Sequence, residues 1–257
     1  MQPTHLLDLS GKVAIVTGGG NGIGKACSRM LAAYGAAVVI ADLKVADAQK
    51  VADEITSDGG KALAIECNVL RDEDLVRLVE RTVAELGGVH ILVNNAGGGG
   101  AGRESPFEIS VEQFERTFQL NVFSGWRLAQ LCARHMKKAG YGSIINMSSM
   151  SSINKSPAIS AYAASKAAIN HMTANLAFDY GPEIRINAVG PGAIRTDALA
   201  SVLTPEIEKR MLAHTPLERL GEPDDIAGAV LYFAAPISNW VSGQVLFVNG
   251  GGVQTLD

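Results

Sequence analysis

The chain has 257 residues, 47% of them hydrophobic but only 5% aromatic, and a formal net charge of −4. That suits one large α/β domain with an aliphatic core and argues against general disorder. A net acidic chain without clustered cations is a poor match for nucleic acid or an anionic membrane.

The chain opens Met-Gln-Pro-Thr-His-Leu-Leu-Asp, with no basic stretch leading into an apolar run. No segment approaches the ~18 uninterrupted apolar residues of a membrane span, so a cytoplasmic protein is expected. Residues 12–17 read as a buried strand, followed by a Gly-rich turn and a helix over 23–34 that Gly35 ends. Residues 37–41 form the second strand, 46–57 a helix that stops at Gly59-Gly60, and 62–66 the third strand. Asp72 is placed to cap a helix whose Leu75, Leu78, Val79, Val83 and Leu86 share one face. Residues 89–93 are the fourth strand. Ser110 with Gln113 fits a capping box that opens a long helical region, broken or kinked, reaching Lys138. Strands at 143–147 and 185–189 flank an Ala-rich helix over 161–180 without internal Gly or Pro. Thr204-Pro205 and Glu222-Pro223 start helices with Pro at the first helical position. Residues 244–248 make the last strand. Cys27, Cys67 and Cys132 are an odd, scattered set without CxxC, so neither disulfides nor a metal site is expected.

Apolar strands separated by helices imply a Rossmann-like, doubly wound parallel sheet in a single domain. Residues 97–106 and 191–214 look least like scaffold, and both follow strand C-termini, where such sheets bind ligands.

Tyr162 and Lys166 stand four apart on a predicted helix and so share a face. A tyrosine titrates near pH ~10, too high for a base at neutrality. A lysine charge about 4 Å away, at an effective dielectric of roughly 20, favours the phenolate by about 4 kcal/mol. The expectation is therefore a phenol made acidic by its neighbour. A solvated ion pair on an outer face is the competing explanation.

Thr17-Gly18-Gly19-Gly20-Asn21-Gly22-Ile23-Gly24 lies between the first strand and the first helix. Glycines there let backbone approach a diphosphate at a helix N-terminus, although such turns also serve only to pack a helix close to a sheet. Asp42 ends the second strand, where a carboxylate binds both ribose hydroxyls and repels a 2′-phosphate. NAD is favoured over NADP, with Lys44 as the one residue that softens the choice and helix capping as the alternative role. Asn94-Asn95-Ala96-Gly97 follows the fourth strand and either lines a cofactor groove or serves turn chemistry. Asn121 falls where a helix should be running, a poor place for it on propensity. A kink, a bound water or a simple surface position are the readings.

Together, TGGGNGIG, NNAG, Asn121, Ser149 and Tyr162-Ala-Ala-Ser-Lys166 closely resemble the short-chain dehydrogenase/reductases over essentially the whole chain. The resemblance implies a single domain, usually assembled as a homotetramer. It implies that Ser149 hydrogen-bonds the substrate oxygen, with Ser148 as the rival that spacing rejects. Tyr162 would transfer the proton, Lys166 would lower its pKa and hold the nicotinamide ribose, and Asn121 would support a relay water. NNAGGGG, LNVFS, PGAIRTDAL, TPEIEKRMLAHTP and WVSGQ narrow the likeness to bacterial members that oxidise the 7α-hydroxyl of bile acids with NAD. That likeness implies cofactor contacts from Ile23, Asp42, Val69, Asn95, Ile194 and Thr196. Gly18, Asn21, Gly22, Gly24, Leu43, Asn68, Ala96, Gly97, Pro191 and Gly192 complete the expected groove. Asn68 departs from the pattern, which has Asp facing adenine, and residues 101–110 are longer than in those enzymes.

A steroid further needs an apolar cleft, for which Ile194, Ala198, Leu199, Val202, Leu203 and Met211 are candidates; helix packing or a subunit contact would explain them too. Gly100 and Gly102 would let a loop close over it. Two other readings remain: a reductase of another carbonyl substrate, such as a 3-oxoacyl thioester, and a dinucleotide-binding sensor without turnover.

Overall fold

Strand β1 (Val13–Thr17) is buried along its whole length, as expected of a strand covered on both faces. A computed structural model describes residues 5–99, 105–201 and 203–252. From β1 the chain enters α1 (Gly22–Ala33), then β2 (Ala37–Asp42), α2 (Val45–Ser57), β3 (Lys61–Glu66) and α3 (Asp72–Leu86). The second half runs β4 (Ile91–Asn94), α4 (Val111–Phe118), α5 (Ser124–Ala139), β5 (Gly142–Met147), α6 (Ser160–Tyr180) and β6 (Ile184–Pro191). It closes with α7 (Asp197–Ala200), α8 (Pro205–Ala213), α9 (Pro223–Ala234) and β7 (Val245–Val248).

Among the described residues, seven strands form one parallel sheet in the order β3-β2-β1-β4-β5-β6-β7. Alternate side chains serve opposite faces. Val16, Val38, Ile40, Val93 and Ile145 pack with α1, α2 and α9. Ile15, Val39, Ile65, Leu92 and Ile144 pack with α3, α5 and α6. The sheet is therefore doubly wound, and the strand order reverses between β1 and β4. The crevice outside their carboxyl ends is where such sheets take ligands.

Both Pro-led helix starts are present, with Thr204 and Glu222 as N-caps. The Ser110–Gln113 capping box is formed in both directions. Asp72 does not cap α3: Arg71 holds the N-cap position, and Asp72 lies one residue inside the helix. From there its carboxylate takes Arg127 instead, at 2.6 and 3.2 Å. The fourth strand starts later than expected because pairing at its foot passes through a side chain. His90 N donates to Val13 O at 2.9 Å while His90 Nδ1 accepts from Val13 N at 3.1 Å.

The three cysteines are buried thiols, and burial pushes Cys27 and Cys67 up to about 12. No helix among the described residues is long and apolar enough to cross a membrane. None of the described residues form a His, Cys, Asp and Glu group able to hold a metal.

Candidate active site

The turn after β1 is shaped by glycines and fixed by its neighbour across the crevice. Gly18 and Gly22 have φ of +60° and +51°, a region that side chains avoid. A Cβ on Gly24 would lie 2.0 Å from the Gly18 carbonyl oxygen, so α1 can approach this closely only without one. Asn95 Nδ2 donates to Thr17 O at 2.9 Å and to Gly18 O at 3.0 Å. Thr17 Oγ1 accepts from the backbone of Asn95 and Ala96 at 3.1 and 3.0 Å. The NNAG segment thus bolts the glycine turn to the end of β4, while Asn94 reaches inward to Asn146 and the Gly125 carbonyl. Asn21 is the N-cap of α1, its Oδ1 accepting from Gly22 N at 2.6 Å.

Asp42 closes the same corner. Its Oδ2 accepts from Gly20 N at 3.0 Å and its Oδ1 from Lys44 N at 2.9 Å. The helix-capping alternative is not met: the N–H that Asp42 bonds is that of Lys44, the N-cap residue itself, and α2 has no side-chain cap. Beside it Leu43 is 64% exposed, an apolar surface next to a carboxylate. Asn68 commits its Oδ1 to Leu70 N, and its own N–H goes to Asp74.

Across the crevice, α6 carries Tyr162, Lys166 and Asn170 at four-residue intervals on the face toward β5. Lys166 is only 5% exposed, and its Nζ donates to Met147 O at 2.7 Å. The Nζ lies 5.6 Å from the centre of the Tyr162 ring. Tyr162 hydrogen-bonds the Ser149 hydroxyl, which pulls its pKa down, but burial outweighs this and raises it. Burial also brings Lys166 down to about 8. The expectation that Lys166 acidifies Tyr162 is thus not met by these side chains alone. The ammonium is held on a neutral carbonyl, and desolvation disfavours the charged form of each group.

Ser149, not Ser148, faces the phenol. Ser148 is buried, its Oγ donating to Asn170 Oδ1 at 2.5 Å. Ser149 caps a one-turn 3-10 helix, Met150–Ser152, and its Oγ accepts from Ser151 N at 3.1 Å.

Asn121 explains the break in the long helix. It sits in a π-helical bulge, Gln119–Phe123, between α4 and α5. The extra residue per turn swings its side chain inward, where it is 6% exposed. Its Oδ1 accepts from Gly98 N, and its Nδ2 donates to Gly98 O and Ser165 Oγ, all at 2.9 Å. A Cβ on Gly97 would lie 3.0 Å from Asn121 Oδ1 and 3.5 Å from Lys166 Nζ.

These groups meet in a cleft of about 520 Å3. Asn21, Gly22, Ile23, Gly24, Asn95 and Gly97 line one side. Ser149, Tyr162 and Lys166 line the floor, and Pro191, Gly192, Ile194 and Thr196 the far wall. Leu199 and Met211 extend the apolar wall as expected; Leu203 does not line it, and Ile194 is also a buried core residue. The Ala198 side chain, Val202, Gly100, Gly102 and residues 101–104 lie outside the described residues. Gly18, Ala96 and Asn121 do not line the cleft itself, whereas Asp42 ends β2 and Leu43, Asn68 and Val69 follow β2 and β3. A larger hollow of about 820 Å3 runs along α1 past Lys25, Arg29 and Asp58, but it holds none of Ser149, Tyr162 and Lys166. Of these two hollows, the smaller carries the Ser149, Tyr162 and Lys166 groups.

Asn146, Asn170 and Thr173, which no sequence motif marks, hold the site together with Thr17 and Ser165 of the two motifs. Asn146 Nδ2 donates to Thr173 Oγ1 at 2.9 Å, and Ser165 Oγ to Tyr162 O at 2.7 Å. The available signal was position: 166, 170 and 173 continue the helical face of Tyr162.

Residues 18–252 match a family model described as enoyl-(acyl carrier protein) reductase. The chain is 49% identical over 252 residues to the 7α-hydroxysteroid dehydrogenase of Escherichia coli strain K12, covering 98% of each protein. It is 48% identical, with a TM-score of 0.96 and complete coverage of both chains, to a 7α-hydroxysteroid dehydrogenase solved with NADH and 7-oxo glycochenodeoxycholic acid. A short-chain type dehydrogenase/reductase from Mycobacterium marinum is 35% identical, with a TM-score of 0.91, over 98% of this chain and 99% of that one.

Proposed function

This chain belongs to the short-chain dehydrogenase/reductase family, and we propose that it oxidises the 7α-hydroxyl of bile acids such as cholate and chenodeoxycholate to 7-oxo products with NAD. One observation carries the reading: the Ser149–Tyr162 hydroxyl pair, backed by buried Lys166, forms the floor of a cleft walled by Ile194, Leu199 and Met211. The substrate class follows the hydroxysteroid dehydrogenases to which the chain is nearly half identical.

The residues fit a dinucleotide. The cradle at Gly18, Gly22 and Gly24 is one that side chains would fill, and it opens onto the N-terminus of α1. Asp42 at the end of β2 suits a ribose diol and opposes a 2′-phosphate, with Leu43, Asn68 and Val69 beside it for the base. Asn95, Ala96, Gly97, Tyr162, Lys166, Pro191, Gly192, Ile194 and Thr196 would hold the nicotinamide half. Bound there, NAD would supply the acceptor for the hydride of the carbinol carbon.

The protein's part is to orient and to move a proton. Ser149 Oγ and Tyr162 Oη together hold the substrate oxygen, and Tyr162 as phenolate receives the hydroxyl proton. Lys166 as ammonium stabilises that phenolate, a role that grows once bound substrate and cofactor exclude water. Asn121 fixes the 97–98 backbone against Lys166. Leu199 and Met211 would contact the substrate from the apolar wall. Nearly fully exposed Phe178 and Trp240, at 89% and 99%, support burial between copies in a homotetramer. The protein is assigned to the cytoplasm.

Steady-state rates with cholate, chenodeoxycholate and a 7β-epimer, each with NAD and NADP, test the reading. Oxidation of only the 7α compounds with NAD is expected; equal rates on the 7β-epimer would remove the stereochemical assignment. The family model's description favours a second reading, reduction of an acyl thioester. Turnover of a 3-oxoacyl thioester with NADPH above that of cholate with NAD would establish it.

A further inference from the structure

Ser149 caps the short 3-10 turn Met150–Ser152, its Oγ accepting from Ser151 N at 3.1 Å. Ser148 beside it and Ser152 three residues on both bond one amide, and Ser148 Oγ also reaches Lys166 O at 3.3 Å. Ser148 Oγ donates to Asn170 Oδ1 at 2.5 Å, and Asn170 Nδ2 donates to Ser152 Oγ at 2.8 Å. Ser152 Oγ in turn donates to the Ser149 carbonyl at 2.6 Å, which also accepts from Ser152 N at 3.0 Å. Both lone pairs of that carbonyl are therefore used.

The direction of the amide follows from this chain. Ser152 spends its single proton on Ser149 O, so it can only accept from residue 170, and the atom facing it must be nitrogen. The oxygen is then left for Ser148. An aspartate would lack the donor, and a leucine would lack both. Asn170 is half-buried on the third turn of the face that carries Tyr162 and Lys166, so the same helix that places the phenol also places its hydroxyl partner.

We infer that Asn170 is a positioning residue for Ser149, gripping the hydroxyls on both flanks and so aiming Ser149 Oγ at Tyr162. The inference rests on the reading of Ser149 as the hydroxyl that orients the substrate oxygen. Displacement of a reacting group by about 1 Å costs on the order of 100-fold in rate, which sets the scale of the effect.

The test is a double-mutant cycle on the full-length protein with NAD and cholate. Asn170→Ala should lower kcat roughly 10- to 100-fold, while the Kd for NADH, read by fluorescence, stays within about twofold. It should also weaken binding of the 7-oxo product to the NADH complex and move the pH profile of oxidation upward, as Ser149→Ala does, because the Ser149 hydroxyl lowers the phenol pKa. In a Ser149→Ala background, adding Asn170→Ala should change kcat by less than about twofold, since its effect runs through the absent hydroxyl. Losses that multiply, or an Asn170→Ala rate equal to wild type beside a damaged Ser149→Ala, would overturn the inference alone. A wild-type rate in Ser149→Ala would instead sink the reading of Ser149 and the inference with it. If Asn170→Ala does not fold, Ser152→Ala severs one arm of the grip and undergoes the same cycle, with a smaller loss expected and the same outcomes deciding.

Discussion

The glycine turn after β1 and the 191–214 segment face each other across one cleft, and they are built in opposite ways. The turn is wired from below by Thr17 and Asn95, closed at the side by Asp42, and seated on α1 with no room for a Cβ at Gly24. The facing segment is anchored at its start by buried Ile194 and by backbone bonds of Ala193 and Arg195 with Gly221, but its α8 has no buried residue and is held by polar contacts at the surface. Arg195 pairs with Glu208 at 3.3 Å and Glu222 at 3.2 Å, and Asn21 Nδ2 reaches Asp197 Oδ2 at 3.0 Å. Exposed pairs of this kind contribute little individually. One wall is thus fixed throughout by packing and backbone hydrogen bonds, while the other is fixed only at its start and, along α7 and α8, rests on contacts that can be exchanged. A common cofactor needs the first kind of wall, and substrate entry is served by the second.

The contrast can be broken most sharply at the floor between the walls. Tyr162→Phe should lower turnover by about 10²- to 10⁴-fold with NADH binding preserved; fluorescence titration beside steady-state rates checks both halves. On the rigid wall, Gly24→Ala should cost about 1–3 kcal/mol of stability and weaken NADH binding, measured by thermal unfolding and titration. Asp42→Ala should relax the preference for NAD over NADP by about tenfold or more, equivalent to about 1.4 kcal/mol; an unchanged ratio of kcat/KM would place the discrimination elsewhere.

The pH dependence sharpens the floor itself. Below about 8 the pair holds both protons, since Lys166 titrates at about 8 and burial raises Tyr162 above its usual range. Oxidation needs the state that has lost one proton, with the phenolate beside an ammonium. Its population grows as pH rises and becomes a constant share once one proton has left the coupled pair. Oxidation should therefore climb from pH 6 and level off above about 8; a flat profile over that range would contradict the role of Tyr162. The smallest effect is expected on the exchangeable wall. Asp197→Ala removes one exposed contact and should shift KM for the bile acid by no more than a few-fold, with kcat unchanged within about twofold.

Much of the site is readable from sequence because it depends on local rules. Glycine spacing, a strand-ending carboxylate and an i, i+4 Tyr–Lys pair each state where their atoms must go relative to their own element. The same holds for the parallel sheet, since uniformly apolar strands have no wet face to offer. Asn121 was readable only as an anomaly, a poor helix residue in mid-helix; the π-helical bulge that turns it inward depends on packing against Gly98 and Ser165.

Three things were decided by tertiary structure. Asp72 becomes the first residue of α3 rather than its cap, and its carboxylate pairs instead with Arg127, 55 residues away. The ionisation of Tyr162 and Lys166 is set by how much water the fold removes, and helical spacing carries no information about that. Asn170, Thr17 and Asn146 matter through partners on other elements, and no local pattern names those partners. Sequence thus determined which groups the cleft contains; the assembled fold determined their charge, their aim and what holds them.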